Sequence, residues 1–188
     1  MSNEHSVTAH WQSDFDEAGL RQWAEELRAQ LKAPQVSLGL VFMTPRFFPY
    51  AKQVLELLRV HARIPLLLGC SSSSLVSGNE ELEDNAGLVL ALYALPGAKL
   101  TGTYFTQAQV EEAEGHDYWY DITTVKPSQT NGWLTFIDPF HLDSESWLRS
   151  WNESYPGSPV YGGLSSGIFA DQTTQIYFNG EVYEEGGV

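Results

Sequence analysis

The sequence predicts an α/β fold of duplicated strand-helix-strand plus hairpin units, forming mixed β-sheet with helices packed on its faces. Two observations carry this. Short continuous apolar runs alternate with segments of helical spacing, and one half of the chain resembles the other when slid along it by a fixed offset. That offset lays Leu40 on Leu134, Phe42 on Phe136, Pro45 on Pro139, Pro65 on Pro159, Gly69 on Gly163, Ser71 on Ser165 and Ser72 on Ser166 without a gap.

Residues 1–13 show neither period nor bulk and read as a loose terminus ahead of a domain spanning 14–188, with its repeats at about 33–106 and 130–188. Leu20, Trp23, Ala24, Leu27 and Leu31 then fall on one helical face. Asp14 and Asp16 are available as caps and Pro34 stands beyond, which predicts a helix over 16–32. Val36 to Met43 is an apolar run broken only by Ser37, and Thr44-Pro45 ends it, because proline lacks a ladder donor and restricts the residue before it. Phe47, Phe48, Ala51, Val54, Leu55, Leu57 and Leu58 return to helical spacing up to Ala62. Ile64-Pro65 then opens a second apolar strand, Leu66 to Leu68, closed by Gly69.

A crossover of this kind is parallel and right-handed, so both strands end at the same edge of the sheet. Pro96-Gly97 between the runs 87–95 and 99–106 predicts a hairpin, and 107–131 is polar and loop-like. The second unit repeats the frame, with Asp143 and Ser144 as caps and Trp147 and Trp151 as a core-facing helical stripe. A second hairpin is predicted around Asn179-Gly180.

Composition limits the partners. Ten basic side chains against 24 acidic ones give a net charge of −14, which repels phosphate backbones and anionic lipid, so neither nucleic acid nor a membrane surface is expected. No apolar stretch reaches bilayer length, and a single cysteine makes no internal disulfide. A cytoplasmic protein is the expectation.

The residues singled out for binding are Gly69, Cys70, Ser71 and Ser72 at one strand exit and Gly163, Ser165 and Ser166 at the other. Small hydroxyls and free amides at a sheet edge bind small charged groups, although glycine and serine also make tight exits with no ligand. His141 joins them because it follows Asp138-Pro139-Phe140 at the end of another strand. Of the remaining histidines, His5 and His10 fall in the terminus, His61 at a helix end and His116 in an acidic loop. No Cys-x-x-Cys, His-x-x-x-His or Glu-x-x-His spacing suggests a metal. The acidic run Glu80, Glu81, Glu83 and Asp84 reads as a solvated loop. Ser71, His141 and Asp138 compose a hydrolytic triad on paper, but the Gly-x-Ser-x-Gly elbow is missing, so no enzyme is expected.

The segments LGLVFMTP at 38–45, IPLLLGCSSSSLVSG at 64–78, SPVYGGLSSGIF at 158–169 and IYFNGEVYEEGGV at 176–188 resemble the N-terminal region of FIST proteins. The resemblance covers roughly residues 30–188. It implies an intracellular sensory and signal-transduction domain that binds a small, amino-acid-like metabolite, here in a cleft between the two repeats, with no enzymatic activity. It also implies a haem-based gas sensor as the alternative, for which His141 would be the axial ligand; no other cofactor is expected. Family members continue into a C-terminal FIST region and join output domains, whereas this sequence stops at Gly186-Gly187-Val188. The expected partners are therefore a small-molecule ligand and a downstream signalling protein or a C-terminal FIST region.

Overall fold

The computed structural model describes residues 4–78, 80–82 and 87–188. Its principal sheet has six strands in the order β1-β6-β2-β3-β9-β10. They are β1 (Ser6–Trp11), β2 (Leu38–Met43), β3 (Leu67–Ser71), β6 (Leu88–Tyr93), β9 (Ile176–Phe178) and β10 (Glu181–Tyr183). Only β2 and β3 run parallel; every other neighbouring pair is antiparallel. Two short strands, β4 (Leu75–Ser77) and β5 (Glu80–Leu82), form a separate ribbon.

One face of the large sheet carries two helices. Helix α1 (Glu17–Gln30) starts at the Asp16 carboxylate, which accepts from the Gly19 amide and satisfies a donor that the first turn leaves free. Helix α2 (Ala51–His61) continues a 3-10 turn over Pro45–Tyr50, where Pro45 and its fixed φ suit the first helical position. Leu20, Ala24 and Leu27 of α1 and Val54, Leu55 and Leu58 of α2 pack with Val41, Met43, Leu67, Leu90 and Tyr177 in the main core.

The opposite face meets a second layer. Its parallel strands β7 (Trp133–Ile137) and β8 (Val160–Leu164) are joined by helix α5 (Ser144–Ser154), which is capped by Asp143. Helices α3 (Gln107–Glu112) and α4 (Tyr118–Thr123) complete this layer. Trp119, Trp147, Trp151, Tyr155 and Phe105 form its aromatic core. Phe136 of β7 meets Phe42 of β2 edge-to-face at 5.3 Å, and Leu68, Cys70, Ile176 and Val188 close the seam. Gly186–Val188 lies against the other side of β7, exchanging hydrogen bonds with Phe136 and, through Gly187, with Phe105.

The structure departs from the sequence reading at five places. Residues 6–11, expected to be loose, form edge strand β1, because Val7, Ala9 and Trp11 alternate toward the core around β6. The hairpin expected over 87–106 is absent. β6 is flanked by β1 and β2, so both its edges are taken, and among residues 99–106 only Phe105 makes a strand-like bridge, to Gly187. Strand β3 does not stop at Gly69 but runs to Ser71. The stretch 107–131 holds α3, α4 and a 3-10 turn at Pro127–Gln129. Of the acidic run, Glu83 and Asp84 lie outside the described residues.

The fifth departure concerns the offset between the two units. The sequence offset sets Val41 of β2 against Thr135 of β7. The following strands differ by one residue, because Val41 pairs with Gly69 whereas Thr135 pairs with Gly162, not Gly163. Both glycines are forced by close approach. A Cβ at Gly69 would lie 1.8 Å from the Val41 carbonyl oxygen, and one at Gly162 would lie 1.8 Å from that of Thr135.

Candidate functional site

Both glycine and serine exits stand at the carboxyl ends of the parallel strands, and they touch. The Ser166 amide donates to the Ser71 carbonyl at 3.1 Å, and the Ser73 amide donates to Ser166 Oγ at 3.0 Å. Ser72 and Ser165 occupy equivalent places, their amides donating to Met43 and Ile137 carbonyls at 2.9 and 2.8 Å. The hydroxyls are engaged as well. Ser71 Oγ, fully buried, accepts from the Gln175 amide, Ser165 Oγ donates to the Ile137 carbonyl, and Ser72 Oγ donates to the Ser74 carbonyl. The exits are fastened to each other and to their own strands, so their polar groups are committed to holding the seam.

His141 belongs to a different cluster. Asp138 is fully buried at the end of β7, and its carboxylate accepts from the amides of Phe140 (3.1 Å) and His141 (2.9 Å), from Thr174 Oγ1 (2.9 Å) and from the His141 ring at Nδ1 (2.8 Å). This clasp reverses the chain after the strand and offsets the desolvation of a buried carboxylate. No hydrogen bond joins Ser71 to His141 among the described residues, so the paper triad is not assembled as a nucleophile and its base. Cys70 is buried in the seam, and burial pushes its thiol up to about 12, the opposite of an activated thiolate.

Open space lies at the other end. A cavity of about 610 Å³ sits at the amino ends of β2, β3 and β7. Leu38, Leu66 and Leu68 form its wall on the large sheet. Leu134, Trp147 and Trp151 form the wall on the second layer, and the segments 97–103 and 129–132 rim the mouth. None of Gly69, Cys70, Ser71, Ser72, Gly163, Ser165, Ser166 or His141 lines it. Its volume is in the range of small-molecule sites. Haem does not fit here. The described lining residues include no His, Cys, Met or Tyr to serve as an axial ligand, and the His141 ring is held by Asp138 outside the cavity.

Sequence reasoning missed this cavity because it followed the rule that open α/β sheets bind ligands at strand carboxyl ends. A signal was present in Gly97-Ala98-Lys99-Leu100-Thr101-Gly102-Thr103. This segment is too rich in small residues for a core-facing hairpin arm, and it forms a rim.

The architecture defines a class: an α/β domain in which a strand-helix-strand layer is packed on an open mixed sheet, with a cavity between the two. A family model described as FIST N domain matches residues 37–188, and the chain belongs to that family of sensory and signal-transduction domains. The match leaves out β1 and α1, which extend the sheet and its helical cover. No curated protein matches the chain. Among the described residues no helix is long and apolar enough to cross a membrane.

Proposed function

We propose that this domain senses a small molecule held in the cavity between its two layers, and that occupancy is passed on as a change in how the layers sit against each other. The observation that carries the reading is the division of the walls. Leu38, Leu66 and Leu68 come from the large sheet, while Leu134, Trp147 and Trp151 come from the second layer. A ligand touching both layers favours one mutual arrangement by its differential affinity for it. A cytoplasmic setting and a signalling partner or C-terminal FIST region that reads the change complete the proposal. The serine exits act in it as the hinge side that fixes the layers, opposite the ligand.

The test is a thermal-shift screen of metabolites, since a molecule that binds only the folded state raises the midpoint by mass action. Hits are expected to lose their shift in Leu66→Trp, which fills the cavity, and to keep it in Ser166→Ala. Hits that survive Leu66→Trp and vanish in Ser166→Ala would return the site to the serine edge.

A further inference from the structure

The two layers share a strand-helix-strand frame, but only one copy of the frame is covered on its outer edge. Gly69 of β3 and Gly162 of β8 are equivalent, each so close to its parallel neighbour that a Cβ would lie 1.8 Å from a carbonyl oxygen. The far edge of β3 is covered by β9, which runs antiparallel and sets Tyr177 opposite Gly69. The Leu67 carbonyl accepts from the Asn179 amide at 2.8 Å, and the Ser71 amide donates to the Gln175 carbonyl at 2.8 Å, so Leu67, Gly69 and Ser71 are the residues that take β9. In β8 the same places are Val160, Gly162 and Leu164. The Pro159 carbonyl accepts from the Trp133 amide and the Ser165 amide donates to the Ile137 carbonyl. The alternation of a ladder therefore turns Tyr161 and Gly163 toward β7 and points the amides and carbonyls of Val160, Gly162 and Leu164 outward. Among the described residues no strand covers that edge.

The open edge is unguarded. Edge strands invite pairing, and proteins blunt them with charged side chains. The large sheet does so: β1 at one margin carries His10, and β10 at the other carries Glu181, with Glu184 and Glu185 just beyond it. Around β8 there is no such guard. No Asp, Glu, Lys, Arg or His occurs from residue 154 to residue 170, in a chain with 24 acidic side chains and a net charge of −14. On the strand itself Tyr161 is 67% exposed and Leu164 is 57% exposed. Two molecules of this charge repel each other, and a surface free of carboxylates is where they meet at least cost. The edge is also self-complementary. Laid antiparallel on a second β8 with Gly162 opposite Gly162, Val160 falls opposite Leu164, and every outward-pointing residue meets an outward-pointing partner. The pair between them sets Tyr161 opposite Gly163, where a Cβ would meet nothing within 4 Å, so the ring has room to lie over the glycine.

We propose that two copies of this chain associate through β8, antiparallel about a two-fold axis at Gly162, so that their β7-β8 pairs join into one continuous sheet. The second copy gives β8 what β9 gives β3: acceptors and donors for the outward backbone groups, and cover for an exposed face. A contact built on a strand of 5 residues is small, so the association is weak and reversible. It requires no ligand, and it stands or falls separately from the reading of the cavity.

Sedimentation velocity over a concentration series up to about 500 µM tests it, with a monomer–dimer equilibrium in the range of tens of micromolar expected. Tyr161→Lys and Leu164→Lys place the missing charge on the edge and are expected to weaken association at least about tenfold. Val60→Lys, at a position on α2 that is 62% exposed, is expected to leave it unchanged. All three substitutions are at exposed side chains, and their circular dichroism is expected to match that of the parent. Disulfide capture reads the register independently. Tyr161→Cys and Gly163→Cys proteins, mixed under mild oxidation, are expected to cross-link to each other and not each to itself, because the two residues of that pair stand about 4.5 Å apart between Cα atoms, within disulfide reach. Cys70 is buried and does not compete. A monomer throughout the series, with no cross-link, overturns the proposal and leaves the edge to a strand of another protein. A dimer that both lysine substitutions leave intact, or thiols that cross-link only within their own variant, overturns it as well.

Discussion

The ring of His141 lies 2.8 Å, through Nδ1, from the Oδ2 oxygen of Asp138, and the two residues contribute unequally to the clasp they form. Asp138 is fully buried and holds two amides, a hydroxyl and the ring, whereas the His141 side chain is 49% exposed. Asp138→Ala is therefore expected to cost about 3 kcal/mol, because the Phe140 and His141 amides and the Thr174 hydroxyl lose their acceptor inside the protein. His141→Ala removes one half-exposed partner and is expected to cost less than about 1 kcal/mol. Urea denaturation of the two variants checks the ranking; equal losses would show that the ring, not the carboxylate, organises the turn.

The one-residue difference between the two units gives a sharper test. Gly69→Ala and Gly162→Ala each drive a methyl into a carbonyl oxygen of the neighbouring strand and are expected to cost more than about 3 kcal/mol, with loss of soluble protein at 37 °C. Gly163→Ala meets nothing within 4 Å and is expected to change stability by less than about 0.5 kcal/mol. Melting temperatures of the three variants decide between the offset read from sequence, which pairs Gly69 with Gly163, and the observed register.

Burial raises the ionisation of Cys70 to about 12 and that of Tyr177 well above its ordinary range. The unfolded chain releases these protons first, so the stabilisation is complete below pH 9 and declines as pH climbs from 9 toward 12. The slope approaches about 1.4 kcal/mol per pH unit for each group in its own window. Denaturant midpoints measured across that span follow the sign. Thiol reagents at pH 8 are expected to label Cys70 only after unfolding; rapid labelling of native protein would contradict its burial.

Trp151 stacks or crosses edges with Trp119, Trp133, Trp147 and Tyr155, at centroid separations of 5.2, 4.9, 5.2 and 5.0 Å. Trp151→Ala is expected to cost about 4 kcal/mol and to collapse the near-UV circular dichroism of the second layer. Retention of that signal would mean the cluster repacks around the gap.

Sequence patterning was most legible where one face of an element is buried. Helix α1 was placed at 16–32 and spans 17–30, and the Asp143 cap and tryptophan stripe of α5 were readable because capping and helical spacing are local rules. The hairpin around Asn179-Gly180 was readable for the same reason, and the structure pairs β9 with β10 there. The neighbours of β6 were not, since Pro96-Gly97 marks a turn whether or not the chain after it pairs, and a strand already flanked on both sides accepts no third. Strand β1 offered Val7, Ala9 and Trp11 in alternation, but three positions amid polar residues make a short signal. At the serine exits, glycine and serine marked a real junction, while the cavity between the layers depends on which side chains happen to surround it, which no spacing encodes.

Gly186–Val188 completes the ladder on β7 and grips Phe105 through Gly187. Loop-closure entropy must be overcome before that distant stretch contributes anything, so the second layer is expected to lock last and open first. In amide hydrogen exchange, Phe105, Phe136 and Asp138, whose N–H groups donate to Gly187, Val188 and Gly186, should lose protection together and sooner than the amides shared by β2 and β3. A latch that releases before the main sheet lets the space between the layers fill and empty without global unfolding.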